Sequence, residues 1–149
     1  MNKNFSLQPV RDLAQRKTDA AAGALGKLKA QEAQARQTLE MLEQCHLDYV
    51  AKLEQALKTG IGPAQLRNYQ EFMSKLERAI EQQREAVAQA ETHSRSGLVD
   101  WQSQTRKLKS FDVLAAREGE QLRLHEQKLE QKQLDEHAAS GHRRAQSRD

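Results

Sequence analysis

Few residues in this 149-residue chain combine the type and spacing that chemistry needs. The five histidines are scattered, and none stands in His-Glu-x-x-His, the spacing that turns two imidazoles onto one helix face beside a general base. The single cysteine, Cys45, can build neither a thiolate zinc site nor an internal disulfide. Gly23-Ala24-Leu25-Gly26-Lys27 holds two glycines and a lysine, but it lies in a helical pattern with no strand before it, so it does not read as a phosphate loop. Glu77 and Glu81 are exposed helical neighbours with cations nearby, without the concave pocket that acid–base work requires. His46 falls on an apolar seam and reads as a partly wet core histidine. No catalytic residue, metal or cofactor is expected, and the chain reads as a non-enzymatic protein. What remains informative is the placement of apolar side chains.

The elements that place them follow from composition. The apolar share of 37% is mostly Ala and Leu, the polar share is rich in Gln, Glu, Lys and Arg, and aromatics make up 4%. These are strong helix formers, while strand-favouring residues are scarce, so an all-α fold is expected. One place combines several helix-stopping signals: Thr59-Gly60-Ile61-Gly62-Pro63, with Gly60 suited to a left-handed cap and Pro63 to a first helical turn. A single coiled-coil domain spanning 1–149 is predicted, with helix 1 over about 9–58, a turn at 59–63, helix 2 over about 64–139 and a polar tail at 140–149. Ser6 is a candidate cap, and residues 1–5 are expected to fray.

Periodicity supplies the architecture. Stepping alternately three and four residues from Leu66 to Lys132 meets apolar residues at thirteen of twenty positions. The same walk from Ala14 to Ala56 meets ten of thirteen. Two such seams joined by a short turn predict an antiparallel coiled-coil hairpin. If facing positions sum to 122, Tyr49 meets Met73, His46 meets Leu76, Leu25 meets Gly97 and Ala21 meets Trp101, so that large residues face small ones. Phe111 then faces Arg11, and helix 2 overhangs, leaving Leu122 and Leu129 without cover from helix 1. Off the seam, Phe72 and Ala79 share one flank with Thr38 and Cys45, so Leu42, Tyr49, Phe72, Leu76 and Ala79 converge as one apolar patch near the turn. Phe72 folding over Cys45 to thicken the seam is the alternative. Leu47, Val50 and Leu57 lie toward the other side.

Charge narrows the partners. The 24 basic and 21 acidic residues leave a formal charge of +3, with residues 1–36 at +4, 37–94 at −3, 95–116 at +2 and 117–149 balanced. A nucleic-acid or membrane-surface binder would use Lys27-Lys29 and Arg106-Lys107-Lys109, but these lie on several faces without interleaved aromatics. A generic coiled-coil scaffold is a further alternative. No stretch approaches the roughly 20 apolar residues of a membrane span. The opening MNKNFSLQPV lacks a signal sequence's apolar run, and a cytoplasmic location is expected.

The run Asn68-Tyr69-Gln70-Glu71-Phe72-Met73-Ser74-Lys75-Leu76-Glu77-Arg78-Ala79-Ile80-Glu81-Gln82-Gln83, following a Gly-Ile-Gly turn, resembles the start of the second helix in the FliJ family of the bacterial flagellar type III export apparatus. Asp12-Leu13-Ala14, Leu42, Tyr49, Trp101 and Gln131-Lys132-Gln133-Leu134-Asp135-Glu136 extend the likeness over most of the chain. The resemblance implies a hairpin similar to the central stalk of rotary ATPases. It implies binding to the hexameric export ATPase, promoting its assembly or activity, and contact with the export gate protein and with flagellar export chaperones. It also implies a peripheral position at the cytoplasmic side of the inner membrane at the flagellar base. On it, gate binding falls to Leu42, Tyr49, Phe72, Leu76 and Ala79, and ATPase binding to Leu13, Arg16, Ala20, Leu122 and Leu129. A largely monomeric protein is expected, because its seam is satisfied internally.

Overall fold

The computed structural model describes residues 6–148. The reversal of the chain is made where Gly60 takes φ of +88°, a left-handed conformation that costs a glycine little and any residue with a Cβ more. It separates two helices, α1 (Gln8–Thr59) and α2 (Pro63–Gln146), and no strand occurs among the described residues. Pro63 opens α2, where its missing N–H would have had no helical partner. Leu66 N–H then donates to Gly62 O at 3.1 Å, closing the first turn. At the start of α1, the Ser6 hydroxyl accepts from Gln8 N–H at 3.1 Å and serves as the expected cap. The fraying expected at residues 1–5 concerns positions outside the described residues.

The predicted end of helix 2 near Ala139 differs from the structure. The helix continues through Ser140 and Gly141 to Gln146. Arg143 and Arg144 sit in its last turn, where cations favour the negative end of the helix dipole, and Gln146 Nε2 lies 3.1 Å from His142 Nε2.

The chain resolves into two compact units. One is Lys17–Gln104, the other the two chain ends, up to Arg16 and from Thr105. Within Lys17–Gln104, α1 and α2 pack antiparallel, and the buried side chains are Thr18, Ala21, Leu76, Ile80, Val87 and Ser94. The register follows the expected sum. Thr18 Oγ1 donates to Gln104 O at 3.2 Å, and the Gly97 backbone lies against Leu25. The side-chain tip of Leu28, one turn along α1, also reaches over Gly97. Gln83 Nε2 crosses to Ala35 O at 2.9 Å, so this polar seam position finds a backbone acceptor rather than an unsatisfied core. Ala21 is buried and Trp101 half-buried, as their seam positions require.

In the chain-end unit, Ala14 is buried, and Arg11 Nε pairs with Asp112 beside the expected partner Phe111. Beyond Glu118, every residue from Gly119 to Arg148 is exposed. This segment carries Leu122, Leu124, Leu129 and Leu134 at 58%, 45%, 46% and 64% exposure.

Candidate functional site

The seam brings aromatic residues together near the turn. Tyr49 reaches across from α1 at seam position 49, and its ring centroid lies 4.2 Å from Phe72 and 5.2 Å from Tyr69, tilted at 37° and 51°. Such offset rings contribute about 0.5–1.5 kcal/mol per pair beyond their buried area. Phe72 leans on Tyr49, and 41% of it remains exposed, so the ring forms an outward-facing edge of the cluster. Cys45 is exposed.

Of the five residues assigned to the gate surface, Tyr49 and Phe72 are in direct ring contact, and Leu42 and Ala79 are half-buried. Leu76 is 6% exposed and forms part of the core beneath them. Tyr69 joins the cluster without having been assigned to it. Its seam position read as ordinary core, and its aromatic type beside Phe72 was the signal available.

The residues assigned to ATPase binding are spread along the helices. Leu13 is half-exposed, and Arg16, Leu122 and Leu129 are exposed, all in the chain-end unit. Ala20 is exposed on α1 in the other unit. Leu13, Arg16 and Ala20 fall on one face of α1 by their spacing of three and four. The register sets Leu13 opposite position 109, so Leu122 and Leu129 stand about 20 and 30 Å further along α2 at about 1.5 Å per residue. These leucines form a stripe separate from Leu13.

The exposed segment is held helical by local pairs. Arg123 Nη2 lies 2.6 Å from Glu120 Oε1, which holds the Glu120 carboxyl below its ordinary range and raises Arg123. Among the described residues, no group of three or more His, Cys, Asp or Glu side chains is placed to hold a metal ion. No helix among them is long and apolar enough to cross a membrane.

An all-helical hairpin with a clustered aromatic flank defines a coiled-coil protein. The sequence matches the family model for the flagellar FliJ protein over residues 2–147. It is 31% identical to the flagellar FliJ protein of Salmonella typhi and 30% identical to that of Escherichia coli strain K12, in each case across 93% of this chain and 94% of the relative. The chain belongs to the FliJ family. It is therefore a flagellar export component, and a non-enzymatic one.

Proposed function

We propose that this protein acts as a stalk in flagellar protein export: it binds the hexameric export ATPase, promotes its assembly or activity, and couples it to the export gate. Contact with export chaperones, and a peripheral cytoplasmic position at the inner membrane of the flagellar base, belong to the same reading. The observation that carries it is the leucine-bearing run of α2 beyond Glu118, fully helical and wholly exposed, in a chain of this family. Ordering such a run without burying it is costly unless a partner covers it.

The ATPase contacts are Leu122 and Leu129, with Leu13 and Arg16 in the same unit and Ala20 on α1 as lesser contributors. The gate contacts are Phe72 and Tyr49, flanked by Leu42 and Ala79, with Leu76 supporting them from beneath.

Two variants separate the parts. Leu122→Asp with Leu129→Asp is expected to abolish binding to the purified export ATPase and stimulation of it, while leaving gate binding intact. Phe72→Ala is expected to do the reverse and to reduce swimming, with helicity unchanged. Full ATPase stimulation by the double variant overturns the assignment to α2, and unimpaired gate binding by Phe72→Ala overturns that of the aromatic flank.

A further inference from the structure

The flank of the seam opposite the aromatic cluster carries a second pattern. On α1, Leu47, Val50 and Leu57 recur at intervals of three and seven residues, beside the seam positions His46, Tyr49, Leu53 and Ala56. Leu47 is 62% exposed and Leu57 54%, so the hairpin leaves them largely uncovered. A two-helix hairpin needs one apolar stripe per helix. A second stripe beside the first is what a helix shows when it packs against two neighbours.

At the Leu47 end of this stripe the neighbouring wall is acidic. Glu77 and Glu81 of α2, with Glu43 of α1, border a groove of about 490 Å³ whose floor includes Ile80 and the flank of Leu47. Arg84 is the one fixed cation lining it, 3.8 Å from Glu43 and 3.9 Å from Glu81, and His46 Nε2 lies 3.6 Å from Glu77. These separations are beyond good hydrogen-bond length, so the carboxylates keep acceptor capacity for an incoming cation.

We infer that this flank binds a basic amphipathic helix, its apolar face covering Leu47, Val50 and Leu57 and its Lys or Arg side chains reaching Glu43, Glu77 and Glu81. An apolar stripe at helical spacing fits the apolar face of a helix, and a groove with three carboxylates against one guanidinium selects a cationic partner. A second copy docking through the same flank would bring the same three carboxylates and one guanidinium, a net negative surface against a net negative surface, which disfavours self-pairing. The inference rests on residues of the Lys17–Gln104 unit alone and is independent of the ATPase and gate assignments.

The test titrates the full chain with a labelled model peptide of leucine and lysine patterned as an amphipathic helix, and with its counterpart carrying glutamate in place of lysine, reading fluorescence anisotropy. The lysine peptide is expected to bind and the glutamate peptide not. Leu47→Gln with Leu57→Gln should weaken binding at least tenfold. Both sites are more than half exposed and glutamine is a good helix former, so the fold persists, as circular dichroism will verify. Glu77→Gln with Glu81→Gln should weaken binding and flatten its salt dependence, and Phe72→Ala on the other flank should leave it unchanged. Undiminished binding by the leucine variant, equal loss in Phe72→Ala, or equal binding of the acidic peptide overturns the inference. So does concentration-dependent self-association that the leucine variant abolishes, which would assign the flank to a second copy.

Discussion

Glycines inside these helices play unlike roles, and a Cβ added in thought separates them. At Gly97 it would lie 2.8 Å from Leu28 Cδ1 and 3.5 Å from Leu25 Cδ1, so this glycine lets α1 and α2 approach. A methyl there meets only the movable tip of Leu28, whereas the stiff, branched valine cannot turn aside. Gly23 and Gly26 have nothing within 4 Å and only weaken α1. Alanine at either position should therefore stabilise by about 0.5–1 kcal/mol, raising the melting midpoint by about 1–4 °C. Gly97→Val should instead destabilise by about 1–3 kcal/mol. Thermal melts followed by circular dichroism decide both, and a lowered midpoint in Gly23→Ala would reveal a contact at that site.

At the scale of the element, α2 is one helix with two regimes. Up to Glu118 its seam residues are buried or half-buried, whereas from Gly119 to Gln146 helicity rests on local terms such as the Glu120–Arg123 pair. Glu120's carboxyl is lowered, so the pair's contribution is present above the unfolded carboxylate range and is lost as pH falls through the folded value. Full exposure makes that contribution small. Because the segment buries nothing, deleting residues 119–149 should change the stability of the remaining hairpin by no more than about 0.5 kcal/mol, measured by urea unfolding. A larger loss would mean that the segment packs against the hairpin. The seam pattern continued through Leu122 and Leu129, and the register showed that no α1 residue was left to cover them. The helical extension to Gln146 was not legible, since Ser140-Gly141 reads as a stop and the bonds around His142 and Arg143 form only once the helix is present.

For the whole molecule, the absence of any fully buried large side chain among the described residues places stability in many half-covered contacts. Helix formation then depends on the seam rather than on propensity, since an isolated helix gains little in water. A seam satisfied within one chain gives no reason to dimerise. Sedimentation equilibrium should return the 17.0 kDa of one chain across a wide concentration range, and a mass that rises with concentration would show that the exposed leucines self-associate.

The sequence by itself determined two helices, their antiparallel pairing, their register and their one turn. Heptad periodicity, Gly60 and Pro63 act locally and hold wherever the chain is. Tertiary structure alone decided which seam neighbours are presented. Leu76 sinks into the core while Phe72 stands out against Tyr49 and Tyr69, and Leu28 rather than Leu25 comes closest to Gly97. Those outcomes turn on side-chain rotamers, which a repeating pattern of apolar positions does not encode.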